Sequence, residues 1–218
     1  MSSEYSRETD AIRYAVLRRL APGMRHGLMG ELQAIQFMAE LAARQHDERG
    51  DGTRTLDGLR QVIAQTRSTV ASCRSIIEWL RPEPGMTTPL GVGVAQCLKV
   101  VGDDWPLRGV EATSELSNPD TLVDTSALRE LLATSLMALT DMHPGPLDID
   151  VRGDANAADI ELTVHGRAAP RRSTLQPFAD ERKLTWADVQ MLARAHGVPC
   201  SCQARGATIH LRVAATES

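Results

Sequence analysis

The chain has 218 residues, of which 42% are apolar and 24% are charged, and this composition excludes general disorder and a collagen-like fibre. Its formal net charge is −4, so it lacks the overall basic character of a nucleic-acid-binding protein. Aromatic residues make up only 3% of the chain, which argues against the stacking platforms of single-strand binders. The sequence predicts a globular protein without a nucleic-acid partner.

The N-terminal residues 1–10 are polar and charged, and they lack the apolar stretch of a signal peptide. No window of the sequence reaches the length of apolar residues that a membrane span requires. We therefore expect a cytoplasmic protein with no membrane contact. Reduced thiols and no metal ion are expected at the four cysteines, which are Cys73, Cys97, Cys200 and Cys202.

The first part of the chain is predicted to form two long amphipathic helices, over residues 9–44 and 55–80, joined by a polar loop at 46–54. Asp10 is a plausible N-cap, and Pro22 is expected to kink or restart the first helix. Apolar residues recur at helical spacing in both segments. In the first they are Leu17, Met24, Leu28, Leu32, Ile35 and Ala39; in the second they are Leu56, Leu59, Ile63, Val70, Cys73 and Ile77.

Two helices of this length predict an antiparallel hairpin, which cannot enclose a core alone. A homodimer would bury the apolar stripes in a four-helix bundle, and packing against the chain's own second half is the competing solution. The Pro- and Gly-rich residues 81–85 mark the expected boundary. The predicted domains are therefore a helical hairpin at residues 1–83 and a second domain at residues 84–218.

The second half alternates between helical and strand patterns. Helices are predicted at 90–102, 126–142 and 185–195, the last ending at Gly197, and strands at 109–116, 147–152, 160–165, 198–203 and 207–213. Helices on one face of a mixed sheet form an α/β sandwich. The predicted fold class is thus a helical hairpin followed by an α/β domain.

His26 lies about 160° from the apolar stripe of the first helix when each residue turns the helix by about 100°. Its imidazole is therefore predicted to face solvent. An exposed neutral imidazole is a nucleophile at neutral pH. Gly27 and Gly30 flank it, although glycine is unfavourable inside a helix, and such small neighbours leave room for another protein to approach. A surface histidine of no particular role is the alternative reading.

Residues 26–35 read HGLMGELQAI and resemble the H-box of the dimerisation and phosphotransfer domain of two-component histidine kinases, roughly HELRTPLxxI. The histidine and the apolar positions Leu28, Leu32 and Ile35 match in register. Residues 189–197 and 206–213 resemble the end of the family's Bergerat-type ATP-binding domain, a helix closed by Ala-His-Gly and then a hairpin. The resemblance implies a dimeric hairpin followed by a Bergerat-like α/β sandwich.

The nucleotide motifs of that family are missing. Ala133 and Met137 stand where the family has two magnesium-binding asparagines, and residues 165–170 contain no adenine-reading aspartate. Residues 181–186 lack the glycine-rich turn, and the lid between Arg167 and Lys183 is short. The acidic residue that follows the family's histidine is Gly27 here. The resemblance thus implies no nucleotide or metal cofactor, as in dimeric histidine phosphotransferases with a degenerate ATPase-like domain.

The leading hypothesis is a phosphorelay protein in which His26 exchanges a phosphoryl group with response-regulator receiver domains. The predicted docking surface comprises Arg25, Gly27, Gly30 and Gln33, with the facing second helix. A non-catalytic pseudokinase that regulates a sensor or a receiver is the second hypothesis. An active ATP-dependent kinase with an aberrant site is the third.

Overall fold

A computed structural model describes residues 2–49, 52–80, 85–103, 105–155, 159–168 and 182–212. It confirms the predicted architecture, in which a pair of long helices precedes an α/β sheet. The helices are α1 (Ser2–Arg49), α2 (Gly52–Leu80), α3 (Leu90–Val101), α4 (Trp105–Arg108), α5 (Thr125–Met142) and α6 (Trp186–Ala195). The strands are β1 (Thr87–Pro89), β2 (Val110–Leu116), β3 (Leu122–Asp124), β4 (Leu147–Ala155), β5 (Asp159–Ala168), β6 (Cys200–Gln203) and β7 (Gly206–Arg212).

Helix α1 is longer than its pattern predicts. It begins at Ser2, so Asp10 lies inside the helix and the prediction that it caps the N-terminus is wrong. The helix continues through Pro22 without a restart, and it ends at Arg49. Helix α2 begins at Gly52. The predicted loop at 46–54 is therefore largely helical, because helix formation is cooperative and extends a well-packed segment into polar ends.

Helices α1 and α2 pack against each other with opposite chain directions. Ser72 Oγ donates a hydrogen bond to Glu31 Oε1 over 2.8 Å. Farther along α1, a Cβ added at Gly58 would lie 2.8 Å from the Cβ of Ala42, closer than two methyl groups can approach. Residue numbers rise on one helix as they fall on the other, so the pair is antiparallel, and the close contact requires a residue without a side chain at position 58.

The α/β unit is built on a five-stranded sheet in the order β2-β4-β5-β7-β6. Strands β2 and β4 are parallel, and the other neighbours are antiparallel. Burial alternates along the strands: Ile149 and Val151 are buried in β4, whereas Arg152 is exposed. One face of the sheet thus carries the apolar core and the opposite face carries polar side chains. This alternation is the period-two pattern of a two-layer α/β sandwich.

Local signals in the second half predict its main elements well. Asp124 caps α5, because its Oδ1 accepts a hydrogen bond of 2.7 Å from the Ala127 amide. Gly197 has a φ of +63° after α6, the left-handed conformation expected from its position. The sequence reading missed β1, β3 and the four-residue α4, which are too short to carry a periodic pattern.

The compact units of the chain divide differently from the predicted domains 1–83 and 84–218. One unit contains residues 1–20 together with 82–218, and the other contains residues 21–81. The second unit ends at residue 81. Two ion pairs join the first 20 residues to α5: Arg13 with Glu130, and Arg19 with Asp141.

Glu130 lies at the centre of one of these ion pairs. Its carboxylate accepts hydrogen bonds from Arg13 Nε over 3.0 and 3.1 Å and lies 2.9 Å from His196 Nε2. Burial alone would raise the pKa of Glu130, but the hydrogen bonds from His196 and Arg13 and their positive charges outweigh burial and lower the pKa below its ordinary value of 4.5.

A carboxylate whose pKa is lower in the folded state stabilises the fold above its unfolded pKa, and this stabilisation is lost as the pH falls through the folded value. We expect Glu130→Gln to reduce the free energy of unfolding at neutral pH by about 1–3 kcal/mol. The variant should also show a flatter decline of that free energy as the pH falls below about 4.5, the ordinary pKa of a glutamate. Urea unfolding at a series of pH values measures both effects.

The matched control is Glu40→Gln, which changes an exposed carboxylate of α1 and should preserve the wild-type pH profile. A Glu130→Gln profile parallel to that of the wild type would contradict the role assigned to this carboxylate.

Candidate functional site

His26 lies on α1 with an exposed side chain, within the helical unit of residues 21–81. The predicted docking residues Arg25, Gly27, Gly30 and Gln33 are also exposed on the same helix. Gly30 and Gln33 lie within about 40° of His26 around the helix axis. The helix thus places a nucleophilic ring and small or polar neighbours on one accessible face.

The two glycines are not needed for the packing of this chain. A Cβ added to Gly27 or Gly30 would meet no atom within 4 Å. Neither residue has a positive φ among the backbone angles of the described residues. Each glycine nevertheless lowers helix stability by about 1 kcal/mol relative to alanine. Neither contacts nor backbone geometry within this chain therefore explain the two glycines.

Two large apolar residues extend this face beyond the predicted docking residues. Phe37 is 66% exposed and Leu41 is 45% exposed. On the helical wheel they fall within about 20° and 60° of His26, and Phe37 lies about 16 Å farther along the axis. The sequence analysis missed them because it searched α1 for residues that join the buried stripe. Their spacing of 11 and 15 residues from His26 was the signal in the sequence that could have placed them on the same helix face.

The predicted apolar stripe of α2 is exposed rather than buried in the single chain. Its large members are between 47% and 62% exposed: Leu56, Leu59, Ile63, Val70 and Ile77. The side of α2 that packs on α1 is a different one, and it carries the buried Thr69 and the bonded Ser72. Ile63 and Thr69 point about 120° apart around the helix. Helix α2 therefore has two packing faces, of which its own chain covers one.

Helix α5 carries the positions that the resemblance assigns to magnesium and phosphate. Ala133 and Met137 are almost fully buried there, and neither side chain offers an oxygen ligand. Magnesium requires hard oxygen donors in octahedral geometry, so these residues do not fit that ion. The predicted short lid between Arg167 and Lys183 lies largely outside the described residues, whereas residues 182–185 are described and form an irregular segment that leads into α6.

Strand β5 also departs from a nucleotide site. It continues through His165 and Arg167 to Ala168, the segment in which the family would carry its adenine-reading aspartate. In the part of the chain that the structure describes, no three histidine, cysteine or carboxylate side chains converge as metal ligands. Over the same residues, no helix combines the length and the apolar character needed to cross a bilayer.

No protein-family model and no curated protein matches the chain. Among solved structures, it is similar to the nucleotide-free catalytic domain of the histidine kinase ThkA, with 10% identity, coverage of 59% of this chain and 93% of that chain, and a TM-score of 0.44. It is similar over 98% of both chains to a histidine kinase from Burkholderia phymatum, with 14% identity and a TM-score of 0.44.

A third similar structure is ThkA in complex with the response regulator protein TrrA, with 13% identity, coverage of 97% of this chain and 65% of that chain, and a TM-score of 0.44. Scores and identities this low do not establish chemistry. The order of elements in this chain, a pair of long helices followed by an α/β unit, is the histidine kinase-like order that the sequence resemblance predicts.

Proposed function

We propose that this chain is a cytoplasmic, homodimeric phosphorelay protein whose His26 exchanges a phosphoryl group with receiver domains and which does not use ATP. The observation that carries the proposal is the exposed His26 imidazole on α1, combined with an α5 that has no oxygen ligand at Ala133 and Met137. The first feature supplies a nucleophile, and the second leaves the α/β unit without the donors that would hold a magnesium nucleotide.

The transfer step is a substitution at phosphorus. A lone pair on an imidazole nitrogen of His26 forms the nitrogen–phosphorus bond, while the bond from phosphorus to the receiver's aspartyl oxygen breaks and the carboxylate leaves with its electron pair. Transfer to a second receiver reverses these events. Such a reaction depends on positioning and on charge stabilisation, for which the receiver supplies its own metal ion.

The decisive experiment incubates the full chain with receiver domains that carry a radiolabelled aspartyl phosphate. We expect acid-labile label on the wild type and none on His26→Ala, because only His26 provides the attacking nitrogen. His165→Ala is the matched control, since His165 is another exposed histidine and should leave transfer intact.

Absence of label on the wild type across a set of receivers would contradict the transfer role. If His26→Ala also retained full signalling activity in cells, the pseudokinase hypothesis would replace it. The absence of an acidic side chain at Gly27 favours that alternative, because it removes a general base from the neighbourhood of the histidine.

The exposed face of α2 supports the proposed homodimer. An isolated hairpin would leave Leu56, Leu59, Ile63, Val70 and Ile77 in water. Leu32 of α1 is also 46% exposed. A second copy related by two-fold symmetry would cover the same patch on both hairpins and complete a four-helix bundle.

Ile63→Glu should weaken this dimer by about 100-fold, because association would bury an unpaired carboxylate. Sedimentation equilibrium of the full chain measures the change. Gln61→Glu adds the same charge two residues earlier at an exposed position outside the apolar stripe, and it should preserve the dimer. Equal dissociation constants for the two variants would place the interface elsewhere.

The receiver is proposed to dock on the face of α1 that carries His26, Gly30, Gln33 and Phe37. Phe37 offers an aromatic ring that is 66% exposed, the kind of side chain that dominates binding energy when a partner covers it. The glycines near His26 would let the receiver's aspartyl phosphate reach the imidazole.

We expect Phe37→Ala to reduce kcat/KM for phosphotransfer by roughly 10–30-fold without removing His26 chemistry at saturating receiver. Rapid-quench transfer assays over a range of receiver concentrations separate these quantities. Tyr14→Ala removes an aromatic ring of similar exposure, 67%, from the same helix outside this face and serves as the control. A comparable loss in both variants would argue against docking through Phe37.

A further inference from the structure

Helix α5 carries two carboxylates that each join two other segments of the α/β unit. Glu130 binds Arg13 of α1 and His196 at the end of α6. Asp141 accepts hydrogen bonds from Arg19 of α1, over 2.5 and 3.0 Å, and from the Leu184 amide before α6, over 2.8 Å. The side chain of Asp141 is 6% exposed and that of Arg19 is 14% exposed, so this pair is desolvated.

Between the two carboxylates lies one face of α5. Glu130, Thr134, Met137 and Asp141 are spaced by four, three and four residues, which places them on one side of a helix. Thr134 is fully buried and Met137 is 3% exposed. Met137 is also one of the two positions at which the resemblance implies a magnesium-binding asparagine. Another segment of the unit therefore covers this face of α5, which is the face that binds the nucleotide in the family that the sequence resembles.

The start of α1 has the shape and charge to cover this face. Thr9, Ile12, Val16 and Leu20 are buried at spacings of three, four and four residues, whereas Tyr14 on the other side is exposed. Arg13 and Arg19 border the apolar stripe and reach the two carboxylates at either end of the α5 face. An amphipathic helix flanked by two arginines thus matches an apolar helix face flanked by two acids.

We propose that residues 9–20 of α1 form an intramolecular latch that covers the Glu130–Asp141 face of α5 and excludes solvent and small solutes from it. The apolar stripe supplies the contact area, Arg19 neutralises Asp141, and Arg13 shares Glu130 with His196. The latch does not depend on phosphotransfer by His26, because every contact that supports it lies within the unit formed by residues 1–20 and 82–218.

The test opens the latch in the full chain by charge reversal. Arg19→Glu places a carboxylate against Asp141, and Arg13→Glu is a milder second variant because its pair with Glu130 is more exposed. Arg60→Glu is the matched control, since Arg60 forms an exposed ion pair with Asp57 on α2. Hydrogen–deuterium exchange reports the opening of residues 9–20, and peptide mass spectrometry after peroxide treatment reports the oxidation rate of Met137.

Two other methionines calibrate the oxidation in the same sample. Met29 is 51% exposed and Met142, at the end of α5, is 39% exposed. In the wild type, Met137 should oxidise far more slowly than both. Arg19→Glu should accelerate amide exchange at residues 9–20 and oxidation of Met137 by about 100-fold, while Met29 and Met142 change little. Arg13→Glu should produce a smaller increase in the same two readouts.

Unchanged exchange at residues 9–20 in both variants would overturn the proposal. Faster exchange of those residues with Met137 still protected would also overturn it, because another segment would then cover α5. If Arg19→Glu unfolds the α/β unit, exchange at the β4 residues 147–155 rises as well, and Arg13→Glu then decides between the outcomes. Arg60→Glu should match the wild type in both readouts.

Discussion

The constraint on which the α/β unit depends is the burial of two carboxylates on α5. This helix is almost entirely enclosed, from Leu128 to Thr140, so any charge on it must be neutralised by a partner within the protein. Arg13 and Arg19 provide the positive charge from α1, while His196 and the Leu184 amide provide further hydrogen bonds from the α6 side. The same two carboxylates therefore connect the central helix both to α1 and to the segments at either end of α6.

The hairpin shows the opposite feature, an apolar surface that the described residues of its own chain leave exposed. Helix α2 uses Thr69 and Ser72 on the side that meets α1, and it presents Ile63 and Val70 to solvent. A globular chain rarely leaves such a continuous stripe exposed unless another molecule binds it. His26 lies on α1, the other helix of this hairpin. The proposed dimer would therefore present two copies of the histidine to receiver domains.

The sequence predicted the elements that have strong local signals, such as the amphipathic α5 and α6 with Gly197 after it. It also predicted an exposed His26. It could not predict that residues 9–20 belong to the α/β unit, because Ile12 and Leu20 look like part of a continuous amphipathic helix. The ion-pair partners of Arg13 and Arg19, which are Glu130 and Asp141, are more than 100 residues away, and no local pattern pairs an arginine with a distant carboxylate.

The discontinuous composition of the α/β unit governs how the protein can be dissected. A fragment that starts at residue 84 would lack Arg13, Arg19 and the apolar stripe of α1, and it would expose Met137 and remove the arginine partners of Glu130 and Asp141. Such a fragment would be prone to aggregate through the bared helix. An autonomous version of this unit would need the first 20 residues restored, either as an added peptide or by fusion to the fragment.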